Sequence, residues 1–199
     1  MTDTQAPERA SKRERLIQGA RKVFYQQGFE RTTLNDIAEA SDVPVGNIYY
    51  YFKTKEALVE AAVNAYDGDR SELLRRVERK RTPKARLKAF LDELGNFGNS
   101  VAEYGCPFGT LSSELDKHYG TTPSPESQEL LVPMIDWSEQ QFRAMGLDDA
   151  RELGIALIAG YEGAALLTHS LRDPDVLKRQ LRRLQRWIDE LPEPTAATA

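Results

Sequence analysis

The stretch from Thr32 to Lys55 brings together hydroxyls, an amide, a run of tyrosines and lysines in a pattern suited to gripping a nucleic-acid backbone. Asn47 can hydrogen-bond a base edge or a phosphate, Val45 can touch a thymine methyl, and Gly46 lets the backbone come close. Tyr49, Tyr50 and Tyr51 are successive, so on a helix they point about 100° apart and cannot share one task. Tyr49 and Tyr50 are the expected phosphate contacts, while Tyr51 faces mostly inward. Thr32, Thr33, Lys53 and Lys55 complete an expected ring of phosphate-binding groups, which sets register without reading sequence. Arg9, Lys12, Arg13 and Arg15 add a screened attraction from the preceding helix.

Two short helices must hold these groups. The first is expected over Leu34 to Ala40, with Thr32 and Thr33 as possible N-caps; the second runs from Pro44 to Tyr51. Helices that cross steeply need a small residue at the contact, here Ala38, with Ile37, Val43, Ile48 and Tyr51 forming the core between them. The turn at Ser41-Asp42 requires a residue tolerant of positive φ, and Asp is one of the few side chains that manages it. In such a helix-turn-helix the second helix lies in the major groove, its first residues at the base edges. Paired short helices also occur in proteins that touch no DNA, and tyrosines also suit a core. The pattern alone therefore leaves both readings open.

The remaining punctuation gives an all-α chain of about nine helices. The first starts near Arg9 and carries Leu16, Ile17, Ala20, Val23 and Phe24 on one face until Gly28 stops it. Thr54 caps a long helix from Lys55 to about Arg81, and Thr82-Pro83 starts another to about Glu103. Further helices are expected from the Gly105-Cys106-Pro107 break to Tyr119, and from the loop after it to Gly146 with Pro133 as a kink or late start. Asp148 is the expected cap of a helix to Leu171, and Asp173 of one to Leu191. The domain plan is a disordered arm over 1–8, a reading head over 9–54, a second domain over 55–191 and a flexible tail over 192–199. With 199 residues, 40% of them hydrophobic, the chain can bury a core, and its net charge of -4 argues against an indiscriminately basic coat. No stretch is apolar enough for a membrane span, and the lack of a disulfide partner for Cys106 fits a reducing cytoplasm.

Residues 33–58, Thr-Leu-Asn-Asp-Ile-Ala-Glu-Ala-Ser-Asp-Val-Pro-Val-Gly-Asn-Ile-Tyr-Tyr-Tyr-Phe-Lys-Thr-Lys-Glu-Ala-Leu, resemble the signature of the TetR family of transcriptional repressors. The helix before it, ending in Phe24 and Gly28-Phe29, matches as well; Asp42 departs from the family, which usually has glycine there. The resemblance implies a homodimer on a palindromic double-stranded operator and repression relieved by a small-molecule effector. It carries phosphate contacts onto Thr33, Tyr49, Tyr51 and Lys55, and base-proximal roles onto Val45, Gly46 and Asn47. It also implies a ligand pocket between about residues 83 and 170, acting on the helix that follows the reading head. The expected wall is Phe90, Phe97, Cys106, Phe108, Leu111, Leu115, Trp137, Phe142, Tyr161, Glu162 and Leu166, with Glu114, His118 and His169 as further polar groups. Residues 105–115 resemble a segment found in a subset of the family that answers to flavonoid-like or other apolar aromatic compounds, so an apolar or aromatic effector is expected.

Leu177, Leu181, Leu184, Ile188 and Leu191 form a heptad-like seam expected to serve a dimer. The preceding helix is rich in small residues, Gly154, Ala156, Ala159, Gly160, Gly163 and Ala164, which permits close approach. Ordinary packing within the chain is the competing use of both. Cys106, at a predicted helix start, is where a macrodipole stabilises a thiolate, so an oxidant or electrophile sensor is the alternative reading, beside a small buried residue at a tight turn. An enzyme built on Ser112 or Ser113 with Glu114 and His118 is not expected, because nothing marks a nucleophile elbow or oxyanion hole. No metal site is expected of a chain with two His and one Cys, and no cofactor is called for.

Overall fold

In a computed structural model the protein is described over residues 10–120 and 124–192, and those residues form helices and connections without a strand. The arm expected over 1–8 lies outside the described residues, as does Arg9, and so does the tail expected over 192–199 apart from Pro192. Among the described residues ten helices run in order: α1 (Lys12–Gln27), α2 (Leu34–Ser41), α3 (Val45–Tyr51), α4 (Lys55–Val77), α5 (Pro83–Gly95), α6 (Gly98–Tyr104), α7 (Pro107–Tyr119), α8 (Pro125–Ala144), α9 (Ala150–Leu171) and α10 (Pro174–Glu190). The expected helix over 83–103 is divided in two, because Gly95 and Gly98 flank Asn96 and Phe97 with the weakest helix formers short of proline. The chain forms two compact units, Met1–Ala65 and Tyr66–Ala199, with the division inside α4.

In the first unit, α1 starts on a capping box in which Ser11 and Glu14 satisfy each other's backbone N–H groups. Its apolar stripe, Leu16, Ile17, Ala20, Val23 and Phe24, is buried. α2 packs across α1, and the contact is made at Gly19, where a Cβ would stand 2.9 Å from Ser41 Cβ and 3.2 Å from Ile37 O. The close approach is therefore between α1 and α2. Ala38, expected as the small residue at the crossing, is only half-buried. Ile37, Val43, Ile48 and Phe52 fill the space between the short helices.

In the second unit α9 lies along α8 and α10, and α10 packs on α5 and α6. Phe90, Trp137, Phe142, Tyr161, Leu157, Leu177 and Ile188 belong to one buried cluster. Thr82 caps α5 and Asp173 caps α10 as expected, but the N-cap position of α9 is Asp149, not Asp148, and it makes no side-chain cap bond. Pro133 sits inside α8 without ending it. Lacking an N–H, it leaves the carbonyl of Glu129 without its helical donor. The buried guanidinium of Arg70 on α4 fills that place, donating from Nη1 to Glu129 O at 2.9 Å while also pairing with Asp67.

The seam on α10 needs correction. Leu177, Leu181 and Ile188 are buried within their own chain rather than left for a partner. The glycines of α9 are used in the same way: a Cβ at Gly154 would stand 3.0 Å from Ile135 O on α8, and one at Gly160 would stand 2.9 Å from Leu184 Cδ2 on α10. Heptad spacing recurs whenever a helix covers one neighbour, whether that neighbour is in another chain or the same one.

Candidate nucleic-acid interface and ligand cleft

The reading head is held by its turn. Asp42 adopts φ 53 and ψ 44, the left-handed conformation that the spacing of the two helices required. Arg15 locks it: Nη1 donates to Ser41 O at 3.2 Å and to Asp42 O at 3.0 Å, and pairs with the Asp42 carboxylate at 3.1 Å. Arg15 thus serves the turn, not the screened attraction expected of it. The Asp42 carboxylate is largely exposed, so the ion pair itself contributes little. Replacing Asp42 with glycine is expected to change stability by no more than about 0.5 kcal/mol, because relief of the left-handed backbone offsets the lost pair. Valine at the same position is expected to cost about 2 kcal/mol, since a β-branched residue is strained at positive φ. Urea denaturation of both variants checks the pair.

α3 presents Val45, Gly46, Tyr49 and Tyr50 on one exposed face and buries Ile48 on the other. A Cβ built on Gly46 meets nothing within 4 Å, so the face is open where a duplex would approach. Asn47 and Tyr51 are half-buried, with the Tyr51 ring edge-on to Tyr50 at 4.9 Å between centroids. Lys53 is exposed at the end of α3, its ammonium donating to Tyr49 O at 2.9 Å. Thr33 is exposed too, but its hydroxyl is already the N-cap of α2, accepting from Asp36 N and donating to the Asp36 carboxylate. Hydrogen bonds from Thr33 hold that carboxyl below its ordinary pKa.

Two members of the expected phosphate ring have other duties. Thr32 is buried, and its hydroxyl donates to Gly28 O at 2.6 Å; it ties off the end of α1 instead of facing a phosphate. Lys55 is half-buried, with Nζ donating to Phe29 O at 2.5 Å and lying 4.1 Å from the centre of the Phe29 ring. It braces the α1–α2 connection by hydrogen bond and cation–π contact. Sequence reasoning missed Gly19 and the Arg13 guanidinium over the Phe52 ring at 5.3 Å. The first had a signal, a glycine inside an amphipathic helix; the second had none.

In the second unit the expected aromatic wall is mostly core. Phe90 stacks obliquely on Trp137 at 5.1 Å between centroids, Phe142 on Trp187 at 5.9 Å, and Tyr161 is buried among them. Leu111 and Leu115 are buried, Phe108 is half-buried against Tyr66 of α4 at 5.4 Å, and Phe97 is exposed. Such rings satisfy one another, which is why a list of aromatics overstates a pocket. The structure instead opens a cleft of about 500 Å³ between α7 and α9, lined by Gly109, Thr110, Ser113 and Glu114 on one side and Glu162 and Leu166 on the other. Gly105, Cys106, Lys117, Gly163 and His169 complete its wall. Of the expected effector contacts, Cys106, Glu162 and Leu166 are found here, as are the polar candidates Glu114 and His169; His118 is not among the residues lining the cleft.

Cys106 is not the reactive thiolate its place at a helix start suggested. It does cap α7, Sγ accepting from Gly109 N at 3.5 Å, but the thiol also donates to Glu162 Oε1 at 3.1 Å and is buried. Burial pushes the thiol far above its ordinary pKa, and the neighbouring Glu162 charge pushes the same way. A protonated, enclosed thiol is a poor nucleophile, so the structure speaks against an electrophile sensor. The serine of an imagined catalytic group is equally occupied: the Ser112 hydroxyl is buried and donates to Ser127 O.

Comparison with known proteins agrees with this architecture. Residues 16–62 match the family described as bacterial regulatory proteins, tetR family. An uncharacterised helix-turn-helix transcriptional regulator of Bacillus subtilis, YxaF, is 32% identical over 174 residues, covering 83% of this chain and 88% of the relative. The transcriptional regulator LmrA of the same organism is 28% identical, over 84% of this chain and 97% of its own length. A TetR transcriptional regulator from Legionella pneumophila superposes with a TM-score of 0.79 at 19% identity, over 92% of this chain and 98% of that one. The chain belongs to the TetR family of helix-turn-helix transcriptional regulators. It is a DNA-binding transcription factor and not an enzyme. No helix among the described residues is long and apolar enough to cross a membrane.

Proposed function

We propose that the protein is a repressor that binds a palindromic operator as a homodimer and is released by a small molecule bound in its second unit. The observation that carries the reading is the open face of α3, where Val45, Gly46, Tyr49 and Tyr50 stand clear of the core on a helix braced by buried Ile48. Val45, Gly46 and Asn47 meet base edges there. Thr33, Tyr49, Tyr50 and Lys53 take phosphates, Tyr51 adds a minor contact, and Lys55 and Thr32 support the surface from behind.

Two-fold symmetry is what a palindromic site demands of its reader. With the α10 seam spent within the chain, the outer face of α9 is the self-complementary surface: Ile155, Leu167 and Leu171 are exposed there. Exposed apolar residues gathered on one helix mark an interaction surface. The effector site is the α7–α9 cleft in place of an aromatic pocket.

Fluorescence anisotropy against the DNA upstream of the protein's own gene tests the reading. Saturable binding by a dimer, weakening by about a hundredfold or more between 50 and 200 mM salt, is the expected result. Deletion of the gene should raise expression from that site. Equal affinity for scrambled DNA, or reduced expression on deletion, would reject the repressor.

A further inference from the structure

Glu162 is a half-buried carboxylate whose counter-charge is not supplied by the fold. Its hydrogen bond comes from the Cys106 thiol, and among the described residues no Lys or Arg pairs with it. Across the cleft, Gly109 makes room for it: a Cβ there would stand 2.1 Å from Glu162 Oε2. A carboxylate withdrawn from water without a partner cation is costly, and burial accordingly raises its pKa. The cost falls when a ligand brings the positive charge.

The other ionisable groups around the cleft are mixed in sign, so the charge it selects for is set by Glu162. Glu114 adds a second carboxylate on α7, while Lys117, exposed further along the helix, opposes it. His169 also lines the cleft, with Arg172 Nη1 3.1 Å from its Nδ1. Arg172 is not among the residues lining the cleft, and its Nη1 donates to the carbonyls of Ala102 and Glu103. Leu166 offers an apolar surface at the rim. The volume of about 500 Å³ suits a small organic molecule, and no group of three or more metal-ligating side chains occurs among the described residues.

We infer that the α7–α9 cleft binds a small organic cation, an amine or amidine on an apolar body, with its charged end on Glu162. The inference deepens the effector-responsive reading above and rests on it for its consequence. The consequence has a path: Gly109 and Phe108 are adjacent on α7, and the Phe108 ring lies against Tyr66 of α4. A ligand that draws the Glu162 carboxylate off Gly109 thereby alters the packing of α7 beside the helix that continues from the reading head.

The test uses the full-length protein without DNA and benzamidine as probe, with benzamide and benzoate as neutral and anionic controls on the same ring, titrated by ligand-observed NMR. Benzamidine is expected to bind at least about tenfold more tightly than either control, because an amidinium fork makes charge-assisted bonds to a carboxylate. Glu162→Gln, which keeps an acceptor for the Cys106 thiol and nearly the same shape, should weaken benzamidine about tenfold or more. Glu114→Gln should weaken it less, and a thermal melt confirms that both variants fold. Equal binding of benzamide, no effect of Glu162→Gln, or no benzamidine binding at all overturns the site. Operator anisotropy with and without benzamidine then separates the two claims. Failure to bind operator without ligand defeats the regulatory reading; cation binding that leaves operator affinity unchanged defeats the path through Phe108.

Discussion

Gly19→Val is expected to abolish operator binding by dismantling the reading head. The new Cβ would lie 2.9 Å from Ser41 Cβ, 3.1 Å from Ser41 N and 3.2 Å from Ile37 O, so the obstruction includes backbone. No rotamer change relieves a clash with backbone; α2 must move off α1. That displacement also pulls Ser41 and Asp42 from the Arg15 guanidinium, which holds both carbonyls. Overpacking of this kind costs about 1–3 kcal/mol, and the loss of the turn lock adds to it. Operator affinity should fall by more than about a hundredfold, a change equivalent to about 2.7 kcal/mol. The same variant should show early loss of hydrogen-exchange protection in α1 and α2. Retention of both protection and affinity would mean that the two helices do not touch where Gly19 and Ser41 put them.

Gly46→Leu is expected to remove operator binding with the opposite effect on stability. A Cβ there meets nothing within 4 Å, so the fold accommodates the side chain. Glycine inside a helix is less favourable than leucine by roughly 0.5–1 kcal/mol, so urea denaturation should show a variant at least as stable as the parent. The branched side chain would nevertheless stand on the face that approaches the groove, and operator affinity should drop about a hundredfold or more as base-edge and phosphate contacts are lost together. Gly46→Ala should fall between the two. Undiminished affinity of the leucine variant would move the reading surface away from the start of α3.

The local features of the reading head were legible because their physics is local. A left-handed residue between two short helices had to be glycine, asparagine or aspartate, and Asp42 takes that conformation. The split between outward Tyr49 and Tyr50 and inward-leaning Tyr51 follows from 100° per residue, and their exposures obey it. What failed had a common cause: one residue type serves two purposes. Thr32 and Lys55 have the chemistry of phosphate ligands, yet a hydroxyl or ammonium is as useful to an unpaired carbonyl, and Gly28 O and Phe29 O claim them. Leu177, Leu181 and Ile188 have the spacing of a dimer seam, but spacing gives the side of a helix that is covered, not what covers it. The aromatics of the second unit mostly fill space rather than line it, and composition does not distinguish the two. The thiol of Cys106 was placed correctly at a helix start. Which of its two readings applies is decided by burial, with Glu162, fifty-six residues away in sequence, adding to it.

The guanidinium of Arg70 on the carbonyl stranded by Pro133 makes α4 behave like a sprung latch. Small displacements of α4 stretch that hydrogen bond together with its packing on the second unit. Sliding by a full turn, about 5.4 Å, would carry the donor out of reach altogether. Release would leave the Glu129 carbonyl without a donor in a partly buried setting, at a cost of about 1–3 kcal/mol, and nothing along the slide returns that energy until a new acceptor is found. Displacement of α4 along α8 is therefore expected to be resisted while that bond holds and to proceed freely once it breaks.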